Sequence, residues 1–111
     1  MNYHNKKFRP RTTSASSNVS NETIFHYQQQ GSIVSCQYSG GQVLQGHLIA
    51  KVDDDGVLDM RYHHVNSHGQ LMTGTCISTP EVQPDGKMVL HEEWQWTSGD
   101  LSQGSSILEE I

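Results

Sequence analysis

Residues 46–65 read GHLIAKVDDDGVLDMRYHHV, two β-forming runs on either side of Asp53-Asp54-Asp55-Gly56. A cluster of aspartates closed by glycine is a hairpin signal, because glycine supplies the positive φ that tight loops require and aspartate tolerates it. Side chains alternate between the two faces of a strand, so the arms can be sorted into sets. Leu44, Gly46, Leu48, Ala50 and Val52 before the turn, and Leu58, Met60, Tyr62 and His64 after it, are expected inside. Gln45, His47, Lys51, Asp59, Arg61 and His63 are expected outside.

The same unit recurs outward from this hairpin. Runs of β type occupy 22–30, 32–39, 42–52, 57–65, 70–79, 87–96 and 101–110, with Gly31, Gly40-Gly41, 53–56, 66–69, 80–86 and 97–100 between them. Short connections join antiparallel neighbours and leave no room for the helices of a parallel crossover. Residues 1–8, MNYHNKKF, supply a short first strand, and 9–21, rich in Arg, Pro, Thr, Ser and Asn, read as a flexible polar loop. The expectation is an all-β fold: a single antiparallel up-and-down meander closed into a barrel, with seven strands in the barrel domain 22–111 and about eight counting the N-terminal one. Closure leaves no unpaired edge to aggregate.

A chain of 111 residues builds one core and no second domain. A hydrophobic fraction of 33% implies that much of the sheet surface is wet. A net charge of −5 disfavours a phosphate backbone, so no nucleic acid is expected as partner. No run approaches the length of a membrane helix and the first residues carry no apolar signal segment, so no membrane association is expected and the cytoplasm is the expected location. Cys36 and Cys76 lie in strand-like runs without paired spacing and read as small buried residues in a reducing compartment. Lys6, Lys7, Arg9 and Arg11 form the basic patch of the chain, read as a solvated tail.

Extending the alternation to 87–96 places Met88, Leu90, Glu92, Trp94 and Trp96 inside, with Val34, Cys36 and Tyr38 on the same interior. In 70–79 the two faces stay open, since Leu71 and Ile77 oppose Met72 and Cys76. Aromatic and ionisable residues thus share one predicted face: Tyr38, Tyr62, His64, Glu92, Trp94 and Trp96 are the candidate ligand-binding residues, as pockets are commonly lined this way. A carboxylate among apolar neighbours must be hydrogen-bonded, paired or protonated, which also makes Glu92, with His64, the candidate for acid/base chemistry. Alternatively, Glu92 accepts from Tyr62 or His64 and does no chemistry.

Familiar site motifs do not fit. His63 and His64 are adjacent on a strand and point to opposite faces, and His26, His47 and His91 fall on separate runs, so no metal site is expected. Aligning Gly56 with the glycine of a calcium loop puts Lys51 and Tyr62 where its end ligands belong. No phosphate-cradling glycine pattern or nucleophile elbow occurs, and no cofactor is expected.

From residue 46 to the end, and with ETIFHY and QYSGG upstream, the chain resembles a group of small, mostly bacterial proteins often labelled n-acetylglutamate synthase. The label implies acetyl transfer from acetyl-CoA to glutamate, although the arginine- and glycine-rich turn with which GNAT-type acetyltransferases hold acetyl-CoA has no counterpart in this sequence. By strand pattern the domain is also similar to the calycin class, barrels related in shape to lipocalins. The sequence favours a non-enzymatic barrel that holds a small, partly apolar ligand. The alternatives are an enzyme, by the labelled reaction or by acid/base chemistry at Glu92 and His64, and an interaction module whose outer face carries Arg61, His63, Glu93 and Gln95. Self-association into a homo-oligomer is compatible with each.

Overall fold

The computed structural model describes residues 2–14 and 17–111. Its elements are β1 (Lys7–Thr13), β2 (Ile24–Gln30), β3 (Ile33–Gly40), β4 (Val43–Val52), β5 (Leu58–Asn66), β6 (Leu71–Val82), β7 (Met88–Trp96) and β8 (Gln103–Glu110). Each strand pairs antiparallel with the next, and β1 pairs with β8, so the meander closes into a barrel as expected.

The central hairpin forms as its composition dictates. Asp53 Oδ1 accepts from the backbone N–H of Asp55 and of Val57, each at 2.9 Å, and Gly56 takes the positive φ of 83°. The three aspartates are turn residues. On β5 and β7 the inward sets are as expected, with Leu58, Met60, His64, Met88, Leu90, Glu92, Trp94 and Trp96 all buried; Val89, on the other face at the start of β7, is buried as well. On β6, which the alternation left open, Cys76 and Ser78 point inward and Leu71 and Ile77 outward.

Two expectations are corrected. Leu44 is 59% exposed and Val43 takes its place in the core, because the β4–β5 register shifts between Val43 and Gln45 and the bulge inverts the phase of the strand start. The first strand lies at Lys7–Thr13 rather than 1–8, so 9–13 are strand and not loop. Pairing on both sides decides this: Phe8 sits opposite Phe25 on β2 and Glu110 on β8, and Phe8 and Pro10 are buried. Pro10, which has no N–H to give a ladder, stands where the β1–β8 register shifts. The basic patch meets the acidic end of β8, with Lys6 Nζ 3.2 Å from Glu110 and Arg11 Nε 3.8 Å from Glu109. Met1, Ala15 and Ser16, assigned from sequence to the first strand and the loop, lie outside the described residues.

The meander puts the β2–β3, β4–β5 and β6–β7 turns at one end of the barrel and the remaining connections at the other. Tyr3, ahead of β1, closes the first end: it is fully buried, its hydroxyl donates to the Gly56 carbonyl, and its ring lies 5.9 Å from that of Tyr27. Tyr27, Phe8, Val34, Leu58, Leu90 and Leu108 are likewise fully buried and complete the apolar core.

Three inward-facing glycines shape the rest of the lumen. Gly46, Gly74 and Gly104 are the cross-strand partners of Tyr38, Tyr62 and Trp94, and a Cβ on any of them would collide with that partner's ring. Each ring therefore lies across the neighbouring strand, over a position without a side chain. Substituting Gly74→Ala is expected to destabilise the barrel by about 1–3 kcal/mol, as overpacking of a filled site does. Urea denaturation checks this, and the cost should shrink when the same change is made in a Tyr62→Leu background.

Candidate functional site

At the end opposite Tyr3 the lumen contains a cavity of about 50 Å³. All six residues singled out from the sequence, Tyr38, Tyr62, His64, Glu92, Trp94 and Trp96, line it. They come from β3, β5 and β7, whose register sets Tyr38 opposite Gly46 and Gly46 opposite His64, so neighbouring strands bring their inward sets to one level.

The aromatic side chains form a continuous wall. Trp96 meets Tyr62 and His64 edge to face at 5.7 and 5.5 Å and Trp94 at 5.7 Å, and Tyr38 stacks on Phe25 at 4.7 Å. Such pairs use the attraction between the ring edge and the ring face.

The polar groups separate into two networks. In the first, Tyr38 Oη donates to His64 Nδ1 at 2.9 Å, and His64 Nε2 donates to Asn18 Oδ1 at 3.0 Å. These partners assign the proton to Nε2. Burial pushes the His64 pKa down to about 4, helped by the neighbouring His63, so the ring is neutral at physiological pH. The second runs along the β1–β8–β7 row: Trp94 Nε1 donates to Ser106 Oγ at 3.0 Å, and the Ser106 and Thr13 hydroxyls are 2.7 Å apart.

Glu92 belongs to neither network. It lies opposite Ser106 on β8 and Ser78 on β6, and it is 9% exposed. Burial raises its pKa to about 7. The Ser78 hydroxyl pulls in the other direction, yet it does not reach ordinary hydrogen-bond geometry and remains unpartnered. The expectation that Glu92 accepts from Tyr62 or His64 is therefore corrected: His64 is held by Tyr38 and Asn18 instead. Among the described residues the buried polar side chains are Thr23, His64, Asn66, Ser78, Glu92 and Ser106, so no lysine or arginine neutralises the carboxyl.

Sequence reasoning missed Asn18, which lies in the stretch read as flexible, and Ser106, whose strand carries little apolar pattern. Ser17, Val19, Phe25, Leu48, Met60 and Cys76 complete the lining. Both cysteines are free, and burial, more than any other influence, pushes their thiols up and leaves them inert. On the outer face, register sets His47 opposite His63 with ring centroids 5.6 Å apart, a pairing that linear spacing does not show. Among the described residues no three His, Cys, Asp or Glu side chains gather as a metal site would require.

An eight-stranded antiparallel up-and-down barrel with a cavity in its lumen is a calycin-like β-barrel, the architecture that holds one small ligand when its interior is not filled. Over its whole length, residues 1–111, the chain matches the family model described as Avidin-like protein, and it belongs to that family. No curated protein and no solved structure matches it. The n-acetylglutamate synthase label implied by resemblance finds no support in these comparisons.

The two displaced pKa values make opposite contributions to stability. The folded pKa of Glu92 is raised from 4.5 to about 7, so the folded chain holds the extra proton and stability falls as pH rises through that window. The folded pKa of His64 is lowered from 6.5 to about 4, so the unfolded chain holds the extra proton and stability rises with pH through that window. Each amounts to roughly 3 kcal/mol, and the slopes cancel across most of their overlap. Urea midpoints of the wild type should vary little between pH 4.5 and 6.5. Glu92→Gln should unmask a rise from pH 4 to 6.5, and His64→Gln a fall from pH 4.5 to 7; parallel curves for all three proteins would contradict the assignment.

Proposed function

We propose that the protein is a non-enzymatic binder of a small, partly apolar ligand, held in the lumen between Trp94, Trp96, Tyr62 and Tyr38. The observation that carries this reading is the cavity itself: in a barrel otherwise packed by side chains, an aromatic-lined space remains where ionisable residues converge. Membership of the avidin-like family supports it, since closed barrels of the streptavidin type hold one small molecule inside.

The cavity accommodates a group of a few heavy atoms, well below the ~300 Å³ at which drug-sized pockets begin. Val19, next to Asn18, stands in the cavity wall, so a larger ligand that moves this segment also frees His64 from the Asn18 side chain. His64, Asn18 and Asn66 then offer a ready set of hydrogen-bonding groups for the ligand's polar end, because Asn66 Nδ2 also points to Asn18 Oδ1 at 3.4 Å. An acid/base reaction that pairs Glu92 with His64 is less well supported, since the histidine is committed to Tyr38 and Asn18 and stays neutral.

Both tryptophans of the chain line the cavity, so intrinsic fluorescence reads the site directly. Titration with a library of small amides, ureas, amines and short-chain acids, biotin included, should give a saturable change in emission and a rise in thermal midpoint with at least one member. Trp96→Phe should weaken that binding about tenfold or more, in the range typical of a buried aromatic anchor. No response across the library would refute the reading.

A further inference from the structure

Resting on the ligand-binding reading above, the geometry points to a ligand class: we propose that the cavity receives the protonated amino group of a small primary ammonium compound, with the Glu92 carboxylate as its counter-ion.

Three independent features of the lumen converge on this class. The first is charge. Glu92 lines the cavity, no lysine or arginine is buried among the described residues, and the buried His64 is neutral, so the interior has an acidic group without a cationic partner. A buried carboxyl left in this state is costly, whereas one paired and hydrogen-bonded is tolerated. The titratable groups that interact with it or share its cavity are Tyr27 on β2, Cys36 and Tyr38 on β3, Tyr62 and His64 on β5, and Cys76 on β6, while β8 faces it with the non-titrating Ser106. All of these are neutral at pH 7, so none balances the carboxylate.

The second feature is the supply of acceptors. An ammonium donates three hydrogen bonds and accepts none. Beside the carboxylate oxygens, the Ser106 hydroxyl oxygen lines the same cavity, and Ser78 Oγ, on the register partner of Glu92, is buried just behind it with no partner. An unpartnered buried hydroxyl is uncommon in a finished core.

The third is the wall. Trp94, Trp96 and Tyr62 present aromatic surface, which attracts cations and disfavours anions. Size agrees as well, since a space of about 50 Å³ suits a compact head group better than a bulky heterocycle.

Binding by an ammonium requires the ionised carboxylate, so uptake below pH 7 expels the Glu92 proton to the buffer. The test titrates the full chain with n-propylammonium and benzylammonium, each against the alcohol of the same shape, reading Trp94 and Trp96 fluorescence at pH 8 and pH 5.5. With Glu92 titrating at about 7, affinity for the ammonium should be about 30-fold higher at pH 8 than at pH 5.5, while affinity for the alcohol stays level. Heats of binding in two buffers of different ionisation enthalpy should show a proton released at pH 6. Glu92→Gln should abolish both the pH dependence and the preference for the ammonium.

Equal affinity for ammonium and alcohol, or an ammonium preference that ignores pH, overturns the ligand class and leaves the binding function intact. No response to any probe at either pH overturns this inference, and the library titration then decides the broader reading independently. Should the Glu92→Gln chain fail to fold, the wild-type comparison of isosteres across pH still decides the matter.

Discussion

An aromatic ring laid over a glycine on the adjacent strand is the contact on which the interior of this barrel depends. It occurs three times, at Tyr38 over Gly46, Tyr62 over Gly74 and Trp94 over Gly104, each between register partners. Eight strands enclose a space that side chains can just fill. Rings that lean sideways onto bare backbone cover the wall without crossing the lumen, and all three of these rings line the cavity. The same contact secures strand pairing, because a glycine in a strand has no side chain to pack and gains stability when a neighbouring ring covers it.

The two ends of the lumen then diverge. Around Tyr3, Tyr27, Phe8 and Leu58 the core is fully buried and apolar in character, and the Tyr3 hydroxyl ties the segment ahead of β1 to the β4–β5 turn. Around His64 and Glu92 the interior is polar but unevenly satisfied. His64 has both ring nitrogens engaged, which fixes its tautomer and its neutrality. Glu92 lacks a partner of that quality. A core selected for stability alone would gain by replacing such a carboxyl with an apolar residue of similar volume. Retaining it beside a cavity is the arrangement expected where a ligand supplies the missing partner.

Sequence made much of this legible. The repetition of short runs and glycine-bearing turns implied an antiparallel meander, and alternation placed Tyr38, Tyr62, His64, Glu92, Trp94 and Trp96 on one face, where they share a cavity. Leu44 was misassigned because a bulge shifts phase without leaving a mark in local composition. Residues 9–13 carry too few apolar groups to announce a strand; Phe8 and Pro10 become core only because β2 and β8 both need a partner there. Asn18 and Ser106 were missed for a related reason: short polar side chains acquire a role from what stands opposite them.

By itself, then, the sequence determined the properties that depend on nearest neighbours along the chain: strand number, turn positions, and which residues face inward once a period of two is imposed. The tertiary structure alone decided what depends on distance between strands. It set β1 against β8, turned His64 toward Tyr38 and Asn18 rather than Glu92, and placed three rings over three glycines. Those outcomes follow from register and closure, which couple residues dozens of positions apart and which no local pattern encodes.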